Sequence, residues 1–158
     1  MNTMVVHPHK GVDGILFGMS RADVQQAVGV SPRRLERNEF ALPEDVFQDS
    51  GLSVMYDEAG HCHAISVARG FVELKYDGYQ LFNHPSHDVR RWAFSKDPQL
   101  DPTDGFISKL LGLGMWADWI DEPDIPPDLA DEPAASFIIF REGYYEYERD
   151  RIARMHAS

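Results

Sequence analysis

The sequence predicts an α+β fold in which two diverged α-β-β-β units form one antiparallel meander sheet, with short helices packed on one face. Three observations carry this prediction: a capped helix signal near the start of the chain, a run of short strands separated by turns, and echoes of both in the second half. At 158 residues the chain has the size of one domain. We therefore expect a single domain over 1–158, with repeat units at about 15–82 and 83–150 and a short polar tail, 151–158.

The first helix is predicted over 20–28. Ser20 is a favourable N-cap residue, and Asp23 follows three positions later, at the spacing of a capping box. Apolar residues then recur at helical spacing up to Gly29, which provides a stop signal. The helix is expected to be short and to pack by one narrow face.

The segment from Gly51 to Phe82 has the pattern of an antiparallel meander. Its apolar and aromatic runs are short, and turn-forming pairs such as Arg69-Gly70 and Asp77-Gly78 separate them. The predicted strands are 52–56, 61–68, 71–76 and 79–82.

The second half echoes the first half in the same order. A second helix is predicted over 86–94, with apolar residues at the relative spacing of the first helix. Residues 112–118 repeat the pattern of 51–57, and residues 141–147 repeat that of 68–74 as a turn leading into an aromatic strand. These matches favour a duplication, and chance together with shared helix and hairpin chemistry is the alternative.

The second copy is longer than the first because it contains an acidic, proline-rich insertion, 121–133. Prolines forbid a central strand there and like charges favour an extended chain, so the insertion is predicted to be a projecting loop. Trp116 is expected in the core, whereas core and interface positions are equally open for Trp119. An aromatic anchor with a charged rim is typical of protein interfaces. The predicted partner-binding residues are Trp119, Asp121, Glu122, Asp124, Asp128, Asp131 and Glu132.

The net charge and the cysteine content limit the classes of binding partner and the cellular compartment that we expect for this protein. Lys and Arg number 15 against 26 Asp and Glu, giving a net charge of −11 that disfavours nucleic acid and anionic membranes and favours a basic protein partner. Solubility alone is the alternative explanation of the charge. Cys62 is the single cysteine, and the first residues have no signal-peptide pattern. We therefore expect a cytoplasmic protein.

The histidines and the single cysteine are the residues of this chain that could act as metal ligands or, in the case of Cys62, as a nucleophile. His61, Cys62 and His63 are consecutive, and alternation along a strand points Cys62 away from the two histidines. We therefore predict a buried, inert cysteine and solvated histidines, with no metal site. A two-histidine site completed by a distant carboxylate is the alternative. The pair His7 and His9 also lacks a completing motif.

No catalytic or cofactor-binding motif emerges from the sequence. Residues 112–117 formally match a dinucleotide fingerprint, but nearby carboxylates, Pro123 and the echo of a strand at 51–57 argue against it. Glu73 and Glu146 occupy equivalent repeat positions and are expected to be polar residues of strands. We predict no cofactor and no catalytic residue.

The segment from Gly18 to Gly29, GMSRADVQQAVG, resembles the opening of helix-plus-meander units in β-lactamase-inhibitor-like and outer-membrane-assembly-lipoprotein-like proteins. The whole chain, through 51–57 and 137–145, is similar to small immunity proteins encoded beside bacterial polymorphic toxins. This resemblance implies an antidote that binds a cognate toxin and blocks its active site without catalysis of its own. A basic toxin such as a nuclease would suit the acidic charge.

Two other classes of function stay open at this stage. One is a small-molecule-binding or metal-dependent module with a pocket between the repeats, in which His61 and His63 act. The other is an adaptor subunit of a larger assembly.

Overall fold

The computed structural model describes residues 2–157, which form two sheets and four α-helices around one core. In chain order the elements are β1 Thr3–His7, β2 Gly11–Val12, β3 Ile15–Leu16, α1 Arg21–Val28, β4 Arg33–Leu35, β5 Glu44–Phe47, β6 Leu52–Tyr56, β7 Cys62–Ala68, β8 Glu73–Tyr76, β9 Tyr79–Gln80, a 3-10 turn Leu81–Asn83, α2 Ser86–Lys96, β10 Gly105–Ser108, β11 Leu113–Trp116, α3 Pro127–Ala130, β12 Ser136–Phe140 and α4 Tyr144–Ala157.

The larger sheet has seven antiparallel strands in the order β10-β11-β12-β7-β6-β5-β4. It consists of two three-stranded meanders, β5-β6-β7 and β10-β11-β12, that join where β12 pairs antiparallel with β7, and of β4, which pairs with β5 at one edge. The first meander follows α1 in the chain and the second follows α2. Because their third strands, β7 and β12, pair with each other, the two meanders lie in the sheet in opposite order. The α+β class and the antiparallel meander are confirmed, whereas the first strand of each meander, β5 or β10, lies outside the predicted strands.

The echo at 51–57 and 112–118 corresponds to the middle strands, β6 and β11. Gly51 and Gly112 stand directly before these strands, with φ angles of 68° and 64°. Both angles lie in the left-handed region, which glycine adopts without steric cost. The repeated glycine therefore marks the same sharp entry into the middle strand of each meander.

The smaller sheet corrects the predicted course of the first unit. Its order is β3-β2-β1-β8-β9, and β8 pairs parallel with β1 at Thr3–Glu73 and Met4–Leu74. The predicted four-strand meander over 52–82 is thus wrong after β7, because β8 leaves the large sheet and joins a strand before the first repeat unit. The last predicted strand is also shorter and continues into the 3-10 turn.

The core lies on one face of the large sheet, here called the inner face, where the small sheet, α1 and α2 pack. Each helix buries a narrow apolar stripe, Val24 in α1 and Val89 and Ala93 in α2. The Ser20 side chain caps α1 by accepting a hydrogen bond from the Asp23 N–H, at 3.1 Å. The two predicted helices are therefore present, and α2 extends two residues beyond its predicted end.

Helix α4 packs on the opposite, outer face of the sheet and was not predicted. Residues 144–147 were expected to form a strand, but they begin a helix that also includes most of the expected polar tail. Tyr144, Tyr147 and Arg151 recur three and four positions apart, and the sequence that follows is rich in good helix formers. Arg151 is only 5% exposed, so this segment is part of the folded domain.

Candidate functional site

The acidic insertion is the connection between β11 and β12. Trp116 and Ser136 pair across the base of this connection, whereas the equivalent connection between β6 and β7 is a tight turn at 57–61. The insertion contains one helical turn, α3, with Pro127 at its first position, where the missing N–H costs no hydrogen bond. It is therefore partly helical where a wholly extended loop was predicted.

One end of the insertion is held by Arg90 of α2. Its guanidinium forms a bidentate ion pair with Asp121, at 2.8 and 3.0 Å, and also donates to the Pro102 carbonyl at 3.2 Å. The hydrogen bonds from Arg90 lower the pKa of Asp121. Arg90 thus links α2, the loop before β10 and the start of the insertion.

The other end is held by Arg69 and Ser86. Arg69 pairs with the Glu132 carboxylate at 2.6 Å, and both the N–H and the hydroxyl of Ser86 donate to the Glu132 carbonyl, at 3.0 and 2.9 Å. Glu132 and Asp121, both predicted to bind a partner, are consequently engaged within the chain.

The other predicted carboxylates of the insertion face solvent. Within residues 2–157 none of the four forms a salt bridge, and all four are exposed. These residues are Glu122, Asp124, Asp128 and Asp131. The ends of the insertion are therefore fixed, and the carboxylates between them are available to a partner.

The structure contradicts the expectation for Trp116 and favours the core position that was one of the two alternatives for Trp119. Trp116, expected in the core, is 50% exposed, whereas Trp119 is partly buried against the core. Strand alternation explains Trp116: Met115 points to the inner face and is 4% exposed, so its neighbour lies on the outer face. Trp116 is therefore the aromatic residue that the insertion leaves accessible.

The outer face of the second meander forms what we call the open patch, defined by Ile107, Gly114, Trp116, Ser136 and Ile138. Ile107, Gly114 and Ile138 lie side by side on β10, β11 and β12, and Trp116 pairs with Ser136 in the next row. Ile107 and Ile138 are half-buried.

Two grooves of about 350 and 780 Å³ run along the open patch and share Asp101, Ile107 and Tyr145 as lining residues. Leu110, which is 63% exposed, lines the larger groove.

Acidic residues flank the open patch on the loop that precedes β10. Asp101 and Asp104 are exposed and line the smaller groove beside Trp116. The side chain and backbone of Thr103 donate to the Asp101 carboxylate and lower its pKa. The Asp104 carbonyl accepts from the Ala117 N–H at 2.8 Å, which fixes this loop against the end of β11.

The same outer face is closed over the first meander, where α4 covers a polar cluster. His63 is 4% exposed, and its ring makes edge contacts with Tyr144 and Tyr147. Burial lowers its pKa, although Glu148 at 3.7 Å opposes the effect. Arg151 donates to Glu148 at 2.7 Å. This cluster was not among the predicted sites, although the helical spacing of 144, 147, 148 and 151 in the sequence indicates it.

The histidines and the cysteine do not converge. Cys62 is fully buried in the core, and burial raises the pKa of its thiol to about 12. His61 is exposed and lies 3.8 Å from Asp57, whereas His63 is buried under α4, so the expectation of solvated histidines is wrong for His63. His7 contacts Asp13 and His9 contacts the Leu110 carbonyl. Within residues 2–157 no three His, Cys, Asp or Glu side chains are grouped so that they could hold a metal ion.

Two further sequence features have structural explanations. Residues 112–117, which match a dinucleotide fingerprint, form β11 and its flanks, as their echo of a strand indicated. Glu73 lies on β8, where it accepts a hydrogen bond from Thr3, but Glu146 lies on α4 and pairs with Lys109. The expectation that both glutamates occupy strands is therefore wrong for Glu146.

The junction between the two repeats is filled by side chains. Ile65 and Val67 of β7 and Phe137 and Ile139 of β12 are all fully buried, and the grooves described above lie elsewhere.

In the described part of the chain no helix is both long and apolar enough to cross a membrane. Comparison with known proteins gives no relative: no family model, no curated protein and no solved structure matches the chain.

Proposed function

We propose that this chain is a cytoplasmic immunity protein that binds a cognate basic protein toxin and neutralises it by covering its active site, without catalysis of its own. The observation that carries the proposal is the set of four exposed carboxylates in the insertion, which form no salt bridge within residues 2–157. They add to a net charge of −11. The resemblance to immunity proteins seen in the sequence points the same way.

The charge gives such a protein a physical advantage. Complementary charge raises the association rate of two proteins by steering their encounter, and a toxin must be captured before it acts. A nuclease that binds the phosphate backbone would present a basic surface to these carboxylates. Because the salt bridges at Asp121 and Glu132 fix both ends of the insertion, part of the cost of ordering it is met before binding.

The first test is co-expression with the protein encoded by the neighbouring reading frame in a host sensitive to it. The proposal expects that protein to be toxic alone, and it expects this chain to restore growth and to co-purify with it. A harmless neighbour, or toxicity without rescue, would refute the proposal.

A charge-neutralised variant tests the role of the insertion. Replacing Glu122 by Gln and Asp124, Asp128 and Asp131 by Asn should slow association with the toxin and flatten its dependence on salt. A matched control neutralises four exposed carboxylates elsewhere, at Glu36, Glu39, Asp49 and Asp77. Equal association rates for the two variants would show that the carboxylates of the insertion do not steer association with the toxin.

A further inference from the structure

The open patch combines three features that are typical of a binding surface: an exposed aromatic side chain, an apolar floor and a charged rim. Trp116 is 50% exposed at the edge of a half-buried apolar floor formed by Ile107 and Ile138. Exposed carboxylates at Asp101 and Asp104 line the same groove. Tryptophan is enriched among residues that dominate binding energy, and such residues are usually surrounded by a polar rim.

The carboxylates of the rim select the chemistry of the partner. Arginine and lysine side chains are attracted both to the face of a tryptophan ring and to carboxylates beside it. Arginine fits best, because its planar guanidinium stacks on an aromatic ring while its N–H groups reach a carboxylate. Two cations of the chain lie near this surface, and both have carboxylate partners: Arg90 is paired with Asp121, and Lys109, which lines the larger groove, is paired with Glu146.

The edge of the sheet beside the open patch excludes one common binding mode. β10 is the outer strand of the large sheet, and Ile107 already exchanges two backbone hydrogen bonds with Asp101, at 2.7 and 2.9 Å. A partner strand therefore cannot extend the sheet at this position, and side chains must provide the contact.

We propose that the open patch is the docking surface for the basic protein partner, with an arginine of the partner stacked on Trp116 and paired with Asp101 or Asp104. This inference rests on the proposed function, and it makes Trp116, a residue expected in the core from the sequence, the central contact residue. The insertion then steers the encounter from the rim, while Trp116 anchors the complex.

Substitutions at Trp116 test the anchor against the toxin encoded by the neighbouring reading frame. Trp116→Ala should weaken binding by at least about 30-fold, mainly through faster dissociation. Phe94→Ala is the matched control, because Phe94 is an exposed aromatic residue of α2, at 37%. It should bind within about 2-fold of the wild type, as exposed residues outside an interface do.

Introducing a positive or a negative charge at position 116 tests whether the partner is basic. Trp116→Lys should bind more weakly than Trp116→Glu, since a basic partner repels the lysine. Asp104→Asn should slow association, whereas Asp49→Asn on the distant β5–β6 turn should not. Urea unfolding of each variant separates loss of binding from loss of folding.

The possible outcomes separate this inference from the proposed function. If the wild type binds and Trp116→Ala binds equally well, the open patch is not the interface although the immunity proposal survives. If Trp116→Glu binds more weakly than Trp116→Lys, the partner at this surface is not basic. If the wild type does not bind, both proposals fall. If sedimentation reveals a dimer of the free chain that Trp116→Ala abolishes, and toxin binding is unaffected, a second copy occupies the patch and the inference is overturned.

Discussion

The two meanders of the large sheet share an order of strands but present their outer faces differently. Over the first meander α4 buries His63 beneath two tyrosines. Over the second meander the equivalent face carries Trp116, which is half-exposed, and it borders two grooves. The outer face of the first meander is thus covered by a helix, whereas the outer face of the second meander stays accessible.

The difference begins directly after the third strand of each meander. After β7, every second residue from 72 to 76 is buried, which is the periodicity of a strand, and the chain crosses to the small sheet. After β12, Tyr144 and Tyr147 contact His63 of β7, and Arg151 donates to the Phe40 carbonyl in the loop before β5, so the contacting residues have helical spacing. The segment after β7 therefore continues as a strand of the small sheet, whereas the segment after β12 forms the helix that covers the first meander.

The largest effect expected from this comparison is on stability. Tyr144→Ala should reduce the free energy of unfolding by about 2 to 4 kcal/mol, because it removes a ring packed on His63 and Phe140. Trp116→Ala should cost only about 1 kcal/mol, since half of that side chain is already in water. Urea unfolding followed by circular dichroism measures both.

Equal losses for Tyr144→Ala and Trp116→Ala would contradict the distinction between a closed and an open face. Tyr144→Phe is a useful companion variant, because it keeps the ring and removes only the hydroxyl, which contacts the Met55 sulfur at 3.8 Å. It should unfold close to the wild type.

A smaller effect is expected at Gly114, the position in the second meander that echoes Ser53 in the first. A Cβ at Gly114 would lie 2.8 Å from the Ile138 Cγ2 atom, so the Ile138 side chain must shift. Gly114→Ala should therefore destabilise the protein by about 1 kcal/mol. Ser136→Ala on the neighbouring row is the control and should be nearly neutral. A neutral Gly114→Ala would indicate that the open patch is less tightly packed than its geometry implies.

The buried histidine under α4 should make stability depend on pH. Burial lowers the pKa of His63 below its ordinary value of 6.5, so the unfolded chain takes up a proton at a higher pH than the folded chain. The contribution of His63 to stability is therefore complete above about pH 6.5 and is lost as the pH falls from there towards the lower pKa of the folded state.

His63→Gln should remove this part of the pH dependence. We expect the urea midpoint of the wild type to fall more steeply than that of His63→Gln between pH 7.5 and 5.5. The exposed neighbour His61 provides the matched control, because His61→Gln should follow the wild type. Parallel curves for wild type and His63→Gln would mean that His63 does not remain neutral in the folded state.

The sequence predicted elements whose signals are local and missed arrangements that depend on distant pairing. The cap at Ser20, the strand at 52–56 and the echo at Gly112 are short-range patterns, and the structure contains all three. The transfer of β8 to the small sheet depends on pairing with β1, about seventy residues away in the chain, and its own alternating pattern fits either sheet.

The site was less predictable than the fold for a related reason. The acidic insertion can be recognised from its composition. Its ion pairs with Arg69 and Arg90 could not be predicted, because they depend on where the fold places α2 and the end of β7. The exposure of Trp116 depends on which face of β11 meets the core, and the alternation around Met115 indicates this only once β11 is placed in the sheet. Trp119, in contrast, packs against the core although the sequence placed it beside the loop.

The smallest effect on stability is expected from releasing the ends of the insertion, the segment that has no counterpart in the first meander. Asp121→Asn together with Glu132→Gln removes the ion pairs to Arg90 and Arg69. Because the carboxylates of these pairs, Asp121 and Glu132, are 60% and 37% exposed, the free energy of unfolding should change by at most about 1 kcal/mol. Amide hydrogen exchange across 121–133 should nevertheless accelerate, while exchange in the tight turn at 57–61 stays unchanged. Unaltered exchange in the insertion would mean that the prolines and α3, and not the two ion pairs, hold this loop in place.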